Sequence, residues 1–132
     1  MANANPRVLH TQQVHYFRKR VNFNDANIGT GVIFGTFPAN AQVTDAICRV
    51  ITAFNAATTN VLTVGTNAST YNNILAAADI TEGTPGSYRA PVAGLIGMTV
   101  DTDLYVMYTQ TGTAATTGQA DIVVSYVPNN DG

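Results

Sequence analysis

Charged side chains are scarce in this sequence. Asp, Glu, Lys and Arg make up 11 % of its 132 residues, less than half of the roughly 25 % that is typical of globular domains. The formal net charge is only −2, so no global electrostatic field attracts nucleic acid. Uncharged polar side chains enter an interface at a lower desolvation cost than Lys or Glu. The composition therefore predicts a domain that gives much of its surface to protein partners.

Cysteine and long apolar runs are also missing. Cys48 is the single cysteine, which excludes a disulfide framework and a thiolate metal cluster. No apolar run reaches the roughly 18–20 residues of a membrane helix, so we expect no membrane partner. The N-terminal sequence MANANPRVLHTQQ lacks the apolar core of a signal peptide. We expect a product that stays in the cytoplasm where it is made, or joins something assembled there.

The sequence contains no recognisable catalytic motif. His10 and His15 are five residues apart, which matches no common metal-binding spacing. No serine lies in a nucleophile elbow, and no Gly-rich phosphate loop follows a strand. Cys48 is interpreted as a small buried hydrophobe, because its neighbour Arg49 would point to the opposite side of a strand. We expect no enzymatic activity and no cofactor.

Asp101 and Asp103 form the best metal candidate. Alternate residues on a strand or turn place two carboxylates on one side, and carboxylate oxygens are suitable ligands for Ca²⁺. Ca²⁺ usually takes about six to eight oxygens, however, and this pair is the only source that the sequence indicates. We therefore interpret the two aspartates as part of a turn before a strand and expect no resident metal.

Strand-forming residues, in contrast, are abundant. Thr, Val and Ile are frequent, and turn signals recur at short intervals, which is typical of a sandwich or barrel. About eight strands are predicted, at residues 14–23, 31–37, 43–54, 61–66, 88–92, 98–100, 104–109 and 120–127. We expect an all-β fold, a two-sheet β-sandwich that is jelly-roll-like and carries one short helix at residues 72–78.

Two hairpins are predicted from the order of these strands. The first joins residues 43–54 to residues 61–66 across the polar sequence NAATTN, and the second joins residues 104–109 to residues 120–127. The longest strand, residues 43–54, is apolar on both faces, so we expect it to be central in its sheet. One face carries Ala46, Cys48, Val50, Thr52 and Phe54, and the other carries Val43, Ile47 and Ile51.

The chain divides into three parts by its pattern. Residues 1–13 are expected to form an extended N-terminal arm, residues 14–128 a single β-sandwich domain, and residues 129–132 a short tail. The arm has too little apolar content to fold back on its own core, so we expect it to contact another chain. Its Val8 and Leu9 are counted among the partner-binding residues.

Further partner-binding residues are expected on the strands. Arg18, Lys19 and Arg20 form the one charge run of the sequence. The run fits a contact to an acidic partner, but it also fits a solvated strand edge that discourages edge pairing. Ile47 and Ile51 lie on a strand face that either the short helix or a second subunit must cover. A helix of about 10 Å is too short for this, so we expect a homo-oligomer, a trimer first and a dimer second.

Two segments resemble the small virion proteins of tailed bacteriophages. They are TGVIFGTFPANAQVTDAICRVITAFNAATTNVLTVGT (residues 30–66) and DTDLYVMYTQTGTAATTGQADIVVSYVP (residues 101–128), which together cover about half of the chain. The resemblance is to β-sandwich decoration (cement) proteins, which bind the outside of the capsid and often form trimers or dimers. It implies a location in the virion and a major capsid protein, or another virion protein, as partner.

The resemblance leaves alternatives open. Related sandwiches also serve as neck, collar or tail components. A carbohydrate-binding receptor module is a further alternative, and it would use exposed aromatics such as Tyr71 and Tyr88 near a loop end. The resemblance carries over no functional residues, because no catalytic or binding signature is part of it.

Overall fold

Residues 14–128 are described by a computed structural model of the protein. They form seven strands, β1 (His15–Asn22), β2 (Val32–Phe37), β3 (Gln42–Thr52), β4 (Thr59–Gly65), β5 (Gly86–Arg89), β6 (Thr102–Thr111) and β7 (Gln119–Val127). Two single-turn 3₁₀ helices lie in the connections, at Ala77–Asp79 and Val92–Gly94.

The strands form two antiparallel sheets. One sheet has four strands in the order β1-β7-β3-β5, and the other has three in the order β2-β6-β4. Consecutive strands never share a sheet, so each connection crosses from one sheet to the other. This is the jelly-roll arrangement with seven strands instead of eight. The expectation of an all-β, two-sheet sandwich is confirmed, and β3 lies inside its sheet as predicted.

The core fills the space between the two sheets. Because side chains alternate along a strand, β3 buries Ala46, Cys48 and Val50, and β6 faces them with Leu104 and Val106. The sequence correctly placed the three β3 residues on one face. Val43 was expected on the opposite face but is buried, because a β-bulge between Val43 and Asp45 shifts the alternation.

Aromatic rings close the core at both ends. At one end the Phe17 ring packs against Phe37 and Tyr126, with centroid separations of 5.3 and 4.9 Å. At the other end the rings of Phe54 and Tyr108 lie 4.8 Å apart. Gly118 has a φ of +149°, and a Cβ there would meet the Phe54 ring. This glycine therefore lets the chain enter β7 directly over the ring.

The open edge of β4 is covered by the connection that replaces an eighth strand. The Leu62 amide donates to Glu82 Oε2 at 2.8 Å, and the Val64 amide donates to the Leu75 carbonyl at 3.0 Å. The Thr66 amide donates to Asn73 Oδ1 at 2.8 Å. Three alternate amides of this edge are thus paired, two by side chains and one by an isolated bridge. The connection satisfies the backbone without forming a strand of its own.

Both predicted hairpins are wrong. β3 pairs with β7 and β5, whereas β4 pairs with β6. β6 and β7 likewise lie in different sheets. The connection after β3 carries Phe54 and Ala56 into the core, and such buried side chains are needed where a chain crosses between sheets about 10 Å apart. Alternation along a strand indicates its two faces but not its partners.

The predicted helix at residues 72–78 is also wrong. The amides of Asn72 and Asn73 donate to Asn67 Oδ1, and the amides of Ile74 and Leu75 donate to the Val64 carbonyl. Leu75 also forms an isolated β-bridge with Val64, so the backbone there is extended and not helical. A 3₁₀ turn at Ala77–Asp79 is all that forms there. The strand predicted at residues 98–100 is a loop, and the preceding residue, Gly97, makes one isolated bridge to Gln42.

Glu82 provides a test of the covered edge. Glu82→Ala leaves the buried Leu62 amide without an acceptor, so we expect the free energy of unfolding to fall by about 1–3 kcal/mol. Glu82→Gln keeps an acceptor oxygen and should cost less than about 1 kcal/mol. Urea unfolding of the two variants at pH 7 measures the difference. Equal stability of the two variants would show that the Glu82 side chain does not hold this edge.

Candidate functional site

The outer face of the four-stranded sheet collects most of the positive charge of the chain. Arg18 and Arg20 project from β1, Arg49 from β3 and Arg89 from β5. These are four of the six Lys and Arg residues in the whole sequence. The register places Arg20 beside Asp121 and Asp121 beside Arg49, and it places Ile47 between Val123 and Arg89. We call this surface the basic face.

Asp121 is the centre of the basic face. Its side chain is only 8 % exposed, and it accepts hydrogen bonds from Arg20 Nε at 2.8 Å and from Arg18 at 2.9 Å. The hydrogen bonds from Arg20, followed by those from Arg18, hold the pKa of Asp121 at about 2 against the opposing effect of burial. The side chains of Arg18 and Arg20 are 59 % and 53 % exposed, so Asp121 orients them without removing them from solvent.

A shallow groove runs across the basic face. Its volume is about 390 Å³, and its lining residues are Tyr16, Arg18, Ile47, Arg49, Ser87, Asp121 and Val123. Ile47 and Val123 form an apolar floor between the charged side chains. The structure thus brings the predicted partner-binding residues Arg18 and Ile47 into one surface, although they belong to different strands.

The charge run at residues 18–20 is divided between two sides of the sheet. Arg18 and Arg20 lie on the basic face, whereas Lys19 pairs with buried Ile122 and shares the side of Phe17 and Val21. β1 is an edge strand, and an inward charge on an edge strand discourages pairing with another chain. The position of β1 at the edge fits the interpretation of the run as a strand edge, and the contact to an acidic partner stays a prediction.

The other predicted partner-binding residues do not join this groove. Ile51 is partly exposed near the second bulge of β3. Val8 and Leu9, with the arm at residues 1–13 and the tail at residues 129–132, lie outside the described residues. The division into arm, domain and tail stays a prediction.

Exposed apolar side chains gather at one end of the sandwich. β1 begins there, β7 ends there, and the loop of residues 90–101 packs there against the start of β3 through the Val43 amide and the Ile96 carbonyl, 2.9 Å apart. We call this end of the sandwich the terminal end. Val92 is 85 % exposed, and the others are Val14, Tyr16 and Val100 at 61–65 %. The only other large apolar residue exposed in the described part is Ile33.

The remaining candidates from the sequence serve the fold. Asp101 Oδ1 accepts from the Ala39 amide at 2.9 Å, and Asp103 Oδ1 accepts from the Thr36 hydroxyl at 2.8 Å. Cys48 is buried, and burial raises the pKa of its thiol to about 12. Within residues 14–128, no group of three or more His, Cys, Asp or Glu side chains could hold a metal ion.

Tyr71 and Tyr88 do not share a surface. The Tyr71 ring stacks on Tyr105 at 4.2 Å over the outside of the three-stranded sheet. Tyr88 pairs with buried Cys48 on the other sheet, and its hydroxyl donates to the Thr84 carbonyl at 2.6 Å. The two rings therefore do not form one aromatic platform.

Asp121 and Glu82 were not singled out in the sequence, yet both are buried carboxyl groups in the structure. In the segment QADIVVSYV, Asp121 lies on the polar face with Gln119 and Ser125 and is the one charged residue of the strand. A charged residue inside a strand indicates a partner on the neighbouring strand. No local pattern distinguishes Glu82, because burial raises its pKa only after the chain has folded over it.

In the described part of the chain, no helix is long and apolar enough to cross a membrane.

No protein-family profile and no curated protein matches this chain. Solved phage capsids do contain similar chains. A chain in the capsid asymmetric unit of cyanophage Pam1 matches with a TM-score of 0.70 and 20 % identity, over 98 % of this chain and 94 % of that one. A chain in the acid-stable capsid of the Helicobacter pylori bacteriophage KHP30 matches with a TM-score of 0.65 and 14 % identity, over 86 % of each chain. A chain in the capsid of Ralstonia phage GP4 matches with a TM-score of 0.62 and 21 % identity, over 99 % of this chain and 92 % of that one.

These likenesses concern the fold. They define the class of the protein as a jelly-roll-like sandwich of the kind present in three phage capsid structures. The resemblance to small phage virion proteins that the sequence indicated is confirmed at this level. At identities of 14–21 %, the fold by itself does not transfer a function.

Asp121 should make the stability of the protein depend on acid. Its pKa in the folded protein is about 2, below the ordinary value of about 3.9. The stabilisation of the fold by ionised Asp121 is therefore complete above about pH 4 and is lost as the pH falls towards 2. Because both arginines are half exposed, we expect Asp121→Asn to lower the free energy of unfolding by about 1–2 kcal/mol at pH 7.

Urea unfolding at pH 7, 4 and 3 measures this dependence. The difference between the protein and Asp121→Asn should shrink at the lowest pH. Asp103→Asn is the matched control, since Asp103 is exposed on the other sheet and Asn can also accept from Thr36. A difference for Asp121→Asn that stays constant from pH 7 to pH 3 would contradict the assignment.

Proposed function

We propose that the chain is a structural virion protein of a tailed bacteriophage, which binds the outer capsid surface as a decoration protein and stabilises the head. One observation carries this proposal. Nearly the whole chain corresponds to nearly the whole of a chain in a phage capsid, with 98 % and 94 % coverage for cyanophage Pam1. The correspondence thus extends over nearly the full length of both chains.

The mechanism of such a protein is binding alone. A partner that binds the assembled capsid and not its dissociated subunits stabilises the assembly by mass action. The described surface suits this role, because its neutral polar and apolar side chains can be desolvated at low cost. The role requires neither a cofactor nor catalytic chemistry.

The terminal end is the part of the surface that we propose to face the capsid. Val92 and Val100 project from the loop of residues 90–101, and both termini of the domain leave from this same end. An arm at residues 1–13 would therefore start beside an exposed apolar surface. We propose that the arm extends onto a neighbouring subunit, where an extended segment can add a strand to an open sheet edge.

Self-association is part of the proposal, as a trimer first and a dimer second. The segment at residues 72–78 packs on β4 in the other sheet and does not cover Ile47 and Ile51, which are both partly exposed. A two-fold contact through the basic face would bring like charges together. Ile51 is therefore the better candidate for a self-contact, and Ile47 for a contact to an acidic partner.

The particle of the phage that encodes the chain tests the function. We expect the protein at an order of hundreds of copies on the capsid surface, whereas a neck or collar ring would hold about a dozen. Cryo-electron microscopy and quantitative mass spectrometry of purified particles measure position and number. A variant lacking residues 1–12 should keep the circular dichroism of the sandwich and lose attachment. Absence of the protein from the particle would overturn the proposal.

Sedimentation of the purified protein tests self-association. At micromolar concentration we expect a species larger than 13.9 kDa, a trimer first. Ile51→Ser should shift the equilibrium towards the monomer, because it removes apolar area from the contact. The matched control is Ile33→Ser, since Ile33 is 50 % exposed on the other sheet. A protein that stays monomeric at high concentration contradicts the expectation.

A further inference from the structure

We propose that the groove on the basic face binds an acidic segment of a protein partner. In this arrangement a carboxylate of the partner pairs with Arg18 and Arg49, and a neighbouring apolar side chain packs on Ile47 and Val123. The identification of the partner as another virion protein rests on the proposed function. The chemistry of the site depends only on the residues of this chain.

The first argument is an excess of positive charge. Asp121 is one carboxylate among three guanidinium groups, those of Arg18, Arg20 and Arg49. Arg89 is paired separately with Asp45, at 3.1 Å. Within residues 14–128, no carboxylate lies within 4.0 Å of the Arg49 guanidinium. The groove therefore lacks one to two negative charges, which a partner can supply.

The second argument is the positioning of the arginines. Asp121 is buried and fixes Arg18 and Arg20 with three hydrogen bonds of 2.8–3.1 Å. All the strands that carry the groove are paired in one sheet. Side chains that are held before binding lose less entropy when the partner arrives. An arginine fork also binds a carboxylate with better geometry than a lysine does.

The third argument is the apolar floor, which distinguishes a protein segment from nucleic acid. Ile47 and Val123 lie between the arginines, where a phosphate backbone would find no partner for its charges. Single-stranded nucleic acid requires a series of stacking aromatics along a longer basic groove. Tyr16 is the one aromatic residue of the groove lining. Alternating carboxylate and apolar side chains match the lining better.

A peptide titration followed by nuclear magnetic resonance tests the site. The probe is a blocked hexapeptide in which glutamates alternate with leucines, and the control probe has glutamine in place of each glutamate. We expect the acidic peptide to shift the amide signals of residues 16–20, 47–49 and 121–123, and to bind more weakly as salt increases. The glutamine peptide should bind at least about five-fold more weakly.

Two variants with the same net charge separate a specific site from general attraction. Arg49→Gln should weaken binding of the acidic peptide by about five-fold or more. Lys19→Gln should change it by less than about two-fold, because Lys19 lies on the other side of the sheet. Arg49 is exposed, so its replacement should leave the fold intact, and the spectrum of the free variant verifies this.

Three results would overturn the proposal. One is an equal loss of binding in Arg49→Gln and Lys19→Gln. Another is tighter binding of a single-stranded oligonucleotide than of the peptide at the same residues. The third is movement of the same signals with protein concentration alone, which would assign the groove to a second copy. If the protein is absent from the particle but the peptide binds as expected, the proposed function fails and the groove stands.

Discussion

Each connection between consecutive strands crosses from one sheet to the other, and the rest of the structure depends on this constraint. It places β1, β7, β3 and β5 side by side although they are distant in the chain. Arg20 and Asp121, which are 101 positions apart, thereby become neighbours, and Arg49 comes to lie on the other side of Asp121. The same crossings carry Phe54 and Ala56 into the core. The basic face is thus a product of topology, since no stretch of the sequence contains it.

The connection between β4 and β5 lies where an eighth strand would lie, and it accepts hydrogen bonds from the backbone of β4 without forming a strand. Glu82, Leu75 and Asn73 accept from alternate amides of the β4 edge. The cost is the burial of the Glu82 carboxyl group, which raises its pKa. The gain is an edge that cannot pair freely with another chain.

The few positive charges of the chain are concentrated on one face of the sandwich. Four of six cationic residues lie on one face, while the terminal end exposes apolar side chains. A surface with these two regions can combine apolar burial at one with charge pairing at the other. Charge pairs contribute register and partner choice more than affinity. In the function that we propose, the basic face would therefore orient the subunit, and the terminal end would supply the apolar contacts.

Local pattern in the sequence was enough to determine the all-β class, six of the seven strands to within two residues at each end, and most of the inner face of β3. Strand-forming residues and alternation report on a strand and its two faces, and these are properties of a few neighbouring residues. Local pattern did not determine which strands pair with each other. A hairpin and a crossing between sheets follow similar local sequences, and the choice depends on how distant side chains fill one core. For the same reason, Ile74 and Leu75 bond to β4 and the segment does not form a helix, and Arg18 and Arg20 meet Asp121. Only the tertiary structure decides such contacts, because each requires the whole sandwich to be closed around it.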